Sequence, residues 1–146
     1  MKAKFFSIFL LFFIVSASIY SQSAKIMDKI ISSQALSCGD ACYIAGIMAG
    51  TIGDDASPIE ALEKFRGVKG LEKVSMDDLI RYDVFASLIM YAGKVRDSIW
   101  YNLYKNPHYA FRYFKTIGLV DAKTFPSSNV SPRDAMFIIS KLSEEK

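Results

Sequence analysis

Four serines in this chain each stand three residues ahead of a carboxylate, at the start of an apolar run. A helix N-terminus leaves backbone N–H groups unpaired, and a serine followed by an acid at the third helical position satisfies two of them reciprocally. The pattern therefore predicts where four helices begin. The predicted structural caps are Ser37 with Asp40, Ser57 with Glu60, Ser75 with Asp78, and Ser131 with Asp134.

The N-terminus has the order of residues that is typical of a secretory signal peptide. Lys2 and Lys4 precede an uncharged apolar run over residues 5–15, and small residues follow up to Ala24. The run is shorter than the ~20 residues that a spanning helix needs, so cleavage is favoured over an uncleaved anchor. We expect residues 1–24 to be a signal peptide. The protein is then exported, to the periplasm or cell envelope, and touches a membrane only through this segment if it stays uncleaved.

Residues 25–146 are enough for one domain with its own core. The formal net charge of +3 falls to about +1 when Lys2 and Lys4 leave with the signal peptide. A nucleic-acid-binding domain would carry a basic stripe or patch. The charge balance therefore argues against a nucleic-acid partner.

Apolar residues recur at helical spacing along this domain, and no stretch alternates long enough to predict a sheet. The segment from Cys38 to Ala49 has a one-sided apolar stripe. The longest apolar segment runs from Ser75 to about Ala92 and covers more than one helix face, which is typical of an enclosed helix. We expect an all-α fold with this segment as a central buried helix, and Leu79 and Phe85 facing inward.

Part of the chain repeats. Residues 61–78 and 110–134 both read as a helix, a Gly-Leu stop, a loop and a capped helix start, and residues 36–40 match the last part of such a unit. Each helix pair is too small to bury its own apolar face, so the pairs are expected to pack against one another.

The best-preserved unit resembles the S-layer homology (SLH) family of helical repeats. Its aromatic-rich helix, Gly-Leu stop, Phe-Pro loop and capped helix start lie at residues 109–117, Gly118-Leu119, Phe125-Pro126 and Val130–Ala135. Ser131 falls on the family's Thr and Asp134 on its Glu, while the family's arginine position holds Cys38, Met76 and Pro132 in the three units. The resemblance implies SLH-like helix-pair repeats in a small exported bacterial protein, attached noncovalently to cell-wall polysaccharide.

Aromatic residues are most concentrated between residues 100 and 114. A ten-residue helix cannot bury all of these rings on one face, so some of them are expected at its boundary. Rings with polar tips stack on sugars or anchor a protein partner. Packing against the long central helix, with the hydroxyls at the rim, is the interpretation that the sequence favours for these rings. The candidate ligand-binding residues are Trp100, Tyr104, Tyr109, Arg112 and Tyr113.

The remaining polar residues indicate no reaction. Cys38 and Cys42 are expected to be buried thiols or a local disulfide, and His108 a surface residue in the first turn of a helix. Asp54-Asp55 and Asp77-Asp78 are better explained by turns and caps than by acid–base chemistry. We therefore assign no catalytic residue, no metal ligand and no cofactor.

The sequence favours a noncatalytic cell-envelope module that binds wall polysaccharide or an envelope protein partner. The alternative is a small exported glycan hydrolase with Asp83 or Asp97 as its catalytic acid. A hydrolase needs two carboxylates facing one cleft, and the sequence identifies no such pair.

Overall fold

A computed structural model describes residues 24–53 and 55–144, so the predicted signal peptide lies, apart from Ala24, outside the described residues. The described chain contains seven helices and no β-strand, which confirms the all-α prediction. None of the described helices is long and apolar enough to cross a bilayer. The helices are α1 over residues 24–32, α2 Cys38–Met48, α3 Pro58–Lys64, α4 Tyr82–Ala92, α5 Ile99–Tyr104, α6 Pro107–Thr116 and α7 Pro132–Glu144.

Three of the four predicted caps are confirmed. The hydroxyls of Ser37 and Ser131 each accept the backbone N–H three residues further on, at 3.1 Å in both cases. Ser57 and Glu60 form the complete reciprocal box, in which the Ser57 N–H donates to Glu60 Oε2 at 2.7 Å. These local hydrogen bonds set the starts of α2, α7 and α3.

The predicted helix start at Ser75 is wrong. The Ser75 N–H does donate to Asp78 Oδ2 at 2.6 Å, but residues 76–78 form a turn and no helix follows directly. The helix α4 begins at Tyr82 after Arg81, which makes no side-chain cap hydrogen bond. Leu79, expected inside the core, is half-exposed, because the backbone around it is extended rather than helical.

Three separate backbone segments meet in a closed ring of hydrogen bonds. The N–H of Leu36 donates to the Val130 carbonyl at 2.8 Å, that of Val130 to the Ile80 carbonyl at 3.0 Å, and that of Ile80 to the Leu36 carbonyl at 3.0 Å. All three side chains are fully buried. Each segment leads directly into a helix, namely α2, α4 or α7. In the repeat seen in the sequence, Val74 corresponds to Leu36 and Val130. In the ring, Ile80 occupies this position instead of Val74.

The core is built on two helices rather than one. Nine of the eleven residues of α4 are buried, as expected of the central helix, and Phe85 is fully buried. Nine of the eleven residues of α2 are also buried, so its predicted one-sided stripe is wrong. Close approach explains this burial: a Cβ atom added at Gly39 would lie 2.4 Å from Met76 Cγ, and one at Gly46 2.7 Å from Ile52 Cδ1.

The two cysteines of α2 belong to this core. Cys38 and Cys42 are buried free thiols, and no disulfide joins them. Burial raises the pKa of Cys38 to about 11 and that of Cys42 to about 12. A thiol with so high a pKa is a poor nucleophile and a poor metal ligand at neutral pH.

Candidate ligand-binding site

The site predicted from the aromatic residues lies where α5 meets α6. The Ser98 hydroxyl caps α5 by accepting the Tyr101 N–H at 3.3 Å, and Asn106 caps α6 by accepting the His108 N–H at 3.0 Å. Lys105, in the left-handed region at φ 45°, ends α5. Only Lys105 and Asn106 separate the two helices, so the chain turns sharply between them. The caps were missed in the sequence because neither has an acid three residues further on.

This turn brings three aromatic rings together into what we call the aromatic platform: Trp100, Tyr104 and Tyr109. Their ring centroids are 6.3 Å apart for Trp100 and Tyr104, 6.2 Å for Trp100 and Tyr109, and 5.4 Å for Tyr104 and Tyr109. The interplanar angles are 9°, 23° and 28°, so all three pairs are stacked. Trp100 is 60% exposed and Tyr104 55% exposed. The platform is therefore held together while much of its surface faces water.

Beside the platform lies a groove of about 360 Å³, which we call the aromatic groove. Four of the five candidate residues line it; the fifth, Tyr104, lies on the other side of the platform. The full lining is Asp97, Ser98, Ile99, Trp100, Tyr109, Arg112, Tyr113 and Thr116. The structure therefore gathers most of the predicted site around one concave surface.

The groove combines flat apolar faces with a few polar groups. Arg112 and Asp97 are both exposed and supply opposite charges. The Thr116 hydroxyl donates to the Arg112 carbonyl at 3.0 Å and the Ser98 hydroxyl caps α5, so both are already occupied locally. Aromatic faces with a guanidinium and a carboxylate nearby suit a ligand that has both apolar faces and hydroxyl groups.

A larger cavity of about 820 Å³ lies on the Tyr104 side of the platform. Its cations are Lys69, Lys94, Arg96 and Lys105, and Glu72 is the acid among its lining residues. We call it the cationic cavity. No sequence pattern predicted this cavity, because the four cations come from segments that follow three different helices.

Tyr101 connects this cavity to the core. It is buried, and its hydroxyl donates to the Ser87 carbonyl at 2.9 Å, which ties α5 to α4. Burial raises the pKa of Tyr101, so the hydroxyl stays protonated and remains a donor at neutral pH. It is therefore a structural tether.

A third groove, of about 350 Å³, lies near the ring of backbone hydrogen bonds. Here the Tyr82 hydroxyl donates to Asp134 Oδ2 at 2.6 Å, and the same oxygen accepts the Ser131 hydroxyl at 2.8 Å. Burial, with the neighbouring carboxylate, raises the pKa of Tyr82. Asp134 thus supports the start of α7, as predicted, and also joins α7 to α4, which sequence spacing did not indicate.

The other candidate groups are dispersed. His108 is exposed and meets Tyr109 edge-on, with centroids 5.7 Å apart. The Asp83 carboxylate pairs with Arg81 at 2.7 Å, away from the aromatic groove, while Asp97 lines that groove. Asp54 lies outside the described residues. Across residues 24–53 and 55–144, no three His, Cys, Asp or Glu side chains come close enough to hold a metal ion.

Comparison with known proteins identifies no relative of this chain. No family model matches the sequence, and neither the curated proteins nor the solved structures contain a significant match.

Proposed function

We propose that this protein is a noncatalytic cell-envelope module that binds wall polysaccharide through the aromatic groove. The observation that carries the proposal is the aromatic platform, in which the exposed rings of Trp100 and Tyr104 stack on each other and on the partly buried ring of Tyr109. Exposed clusters of large apolar side chains mark binding surfaces more often than isolated ones do. A sugar ring covers such a surface with its C–H face while its hydroxyls bond to neighbouring polar groups such as Arg112 and Asp97.

An SLH-like repeat and an envelope location are part of this proposal. The hydrogen-bonded ring of Leu36, Ile80 and Val130, with a helix after each segment, supports a threefold repeat. Taken in the register of the ring, the SLH arginine position holds Cys38, Tyr82 and Pro132. Because no arginine stands there, we assign polysaccharide recognition to the aromatic groove instead. The order of residues in the predicted signal peptide supports export.

Binding is favoured over cleavage because the residues that line the aromatic groove do not include a pair of carboxylates. A glycoside hydrolase needs two carboxyl groups flanking the scissile bond. Asp97 is the carboxylate that lines the aromatic groove, and Asp83 is held by Arg81 elsewhere. An envelope protein remains the competing ligand, and the experiment below distinguishes the two.

Retention of the full chain on purified insoluble wall polysaccharide tests the proposal. Replacing Trp100 or Tyr109 by Ala removes one stacking ring, and we expect each change to weaken retention by roughly tenfold, equivalent to ~1.4 kcal/mol. Phe125→Ala is the matched control, because Phe125 is an exposed aromatic outside the groove. Far-ultraviolet circular dichroism checks that each variant is folded.

Three outcomes would overturn the proposal. The wild type is not retained by polysaccharide, or the two platform variants are retained as well as Phe125→Ala, or retention requires an envelope protein in the extract. A fourth outcome would favour the hydrolase: release of reducing ends from the polymer, abolished by Asp97→Asn.

A further inference from the structure

The outer face of α5 exposes more apolar surface than sugar stacking accounts for. Of its six residues only Tyr101 is buried. Ile99 is 79% exposed and Leu103 66% exposed, in addition to the exposed rings of Trp100 and Tyr104. Ile99 and Leu103 are four residues apart and therefore lie on the same face of the helix. Aliphatic side chains offer no flat face to a sugar. Leu103 lines neither the aromatic groove nor the cavity beside it, and Ile99 continues its apolar face to the edge of the groove, so this face needs another explanation.

The cations next to α5 form no close ion pair, although Lys69 is near enough to Glu72 to act on its carboxylate. Lys69, Lys94, Arg96 and Lys105 line the cationic cavity, and none of the ion pairs found in the described part of the chain includes any of them. Glu72, the acid of this cavity, accepts the Gly70 N–H at 2.8 Å. The cavity beside α5 therefore carries a net positive charge, although the domain as a whole is nearly neutral.

Backbone strain points to the same place. Lys94 and Lys105 are the non-glycine residues with positive φ in the described chain, at 53° and 45°, and both line this cavity on either side of α5. Helix ends usually place glycine or asparagine in such a conformation. Strained residues of this kind cluster at functional sites.

We propose that α5 and the cationic cavity together form a docking surface for an anionic lipid bilayer. Ile99 and Leu103 enter the interfacial layer, Trp100 and Tyr104 lie at headgroup level, and the four cations meet lipid phosphates. Charge complementarity selects this occupant, since apolar side chains bordered by unpaired cations suit a surface with acyl chains beneath negative phosphates. With six residues α5 lies on the bilayer and does not cross it.

This surface differs from the N-terminal apolar run, which was the only membrane contact that the sequence predicted. Ile99 and Trp100 belong to both proposed surfaces, but the two assays are separate, because a vesicle contains no polysaccharide. Failure of vesicle binding with retention on polysaccharide intact would remove this proposal alone, and the reverse result would remove only the proposed function.

Trp100 is the only tryptophan in the chain, so its fluorescence reports directly on α5. We would mix the full chain with vesicles of phosphatidylglycerol and phosphatidylcholine, or of phosphatidylcholine alone. With anionic vesicles we expect a blue shift of the emission and quenching by brominated acyl chains, both weakened by high salt. Attachment through the N-terminal run alone would leave the Trp100 emission as it is in buffer, and that result would contradict the proposal.

Matched variants separate the apolar and charged contributions. Leu103→Ser and Ile99→Ser should each weaken the fluorescence response to anionic vesicles by roughly tenfold, whereas Phe125→Ser and Ile59→Ser, at exposed apolar positions elsewhere, should leave it unchanged. Lys94→Gln or Lys105→Gln should weaken it about fivefold each, since one cation near an anionic surface contributes about that factor. Lys141→Gln, on α7, is the control for charge.

The proposal is overturned if the vesicle affinity is the same with and without phosphatidylglycerol, or if the α5 variants behave like their controls. Self-association of the lipid-free protein that is lost in Leu103→Ser would also overturn it, because a second copy would then cover this face. Analytical ultracentrifugation without lipid distinguishes that case.

Discussion

The helices α4 and α5 are neighbours in the chain, and both are rich in apolar residues, yet they are used in opposite ways. Nine of the eleven residues of α4 are buried, but only one of the six residues of α5. The helix α4 follows the ring residue Ile80 and packs against α2 and α6, whereas α5 packs against α6. The comparison shows that apolar content alone does not decide whether a helix is buried in the core.

The largest expected difference between the two helices is in their contribution to stability. Phe85→Ala in α4 removes a fully buried ring and should lower the free energy of unfolding by ~3–5 kcal/mol. Trp100→Ala in α5 removes a larger but mostly exposed ring, and the loss should be below ~1 kcal/mol. Denaturant unfolding followed by circular dichroism measures both. Equal losses would mean that α5 belongs to the core and that the platform is not a free surface.

A smaller effect is expected where the two helices are joined. Tyr101→Phe keeps the buried ring but removes the donor to the Ser87 carbonyl, leaving a buried acceptor without this bond. The cost should be ~1–2 kcal/mol. Tyr104→Phe is the matched control at an exposed tyrosine and should change the free energy of unfolding by less than ~0.5 kcal/mol.

Hydrogen exchange sharpens the same comparison. If Tyr101 is the tether, Tyr101→Phe should speed amide exchange in α5 more than in α4. Uniformly faster exchange throughout the domain would show instead that the hydroxyl stabilises the whole core.

The third prediction concerns how the helices begin. Ser131→Ala removes the acceptor for the Asp134 N–H and should cost ~1 kcal/mol, the usual loss of a helix cap. Ser75→Ala leaves the hydrogen bond from its own backbone N–H to Asp78 in place, and α4 begins elsewhere, so the stability should be nearly unchanged. A similar loss for both variants in a denaturant melt would mean that Ser75 is a cap after all.

These two serines show how far the sequence predicts the fold. Ser75 has the same local signal as Ser131, and even the expected hydrogen bond to Asp78 is present. What differs is the long-range pairing of Ile80 with Leu36 and Val130, which keeps the next residues extended. Local spacing predicts hydrogen bonds within a turn, but it does not show which distant segments of the chain pair with that turn in the ring.

For the candidate site too, local residue patterns were predictable from the sequence and long-range packing was not. The residue types and their clustering in one segment were sufficient to name Trp100, Tyr109, Arg112 and Tyr113, which the structure gathers around one groove. That Tyr104 lines the cationic cavity, and that Tyr109 of α6 returns to stack beside α5 after the sharp turn at Lys105, depends on how the two helices pack. The cavity itself brings together cations from distant parts of the chain, so no window of sequence contains its pattern.

The smallest expected effect is a gain in stability at the two ends of the segment that carries α5. A left-handed conformation costs a non-glycine residue roughly 1–2 kcal/mol, and a glycine substitution removes this cost. Part of the gain is cancelled because glycine makes the unfolded chain more flexible. Lys105→Gly and Lys94→Gly should therefore each raise the free energy of unfolding by about 0.5 kcal/mol. Lys141→Gly, inside α7, should lower it by ~1 kcal/mol and controls for loss of a lysine.

If these lysines are kept for docking, the stabilised glycine variants should also respond more weakly to anionic vesicles. Stability and binding would then change in opposite directions at the same residues, as expected where strain is retained for function. If neither variant gains in its thermal or denaturant midpoint, the surrounding contacts already compensate the backbone strain. One such contact is that of the Lys105 ammonium, which lies 5.0 Å from the centroid of the Tyr101 ring. The left-handed lysines would then give no reason to distinguish α5 from the other helices.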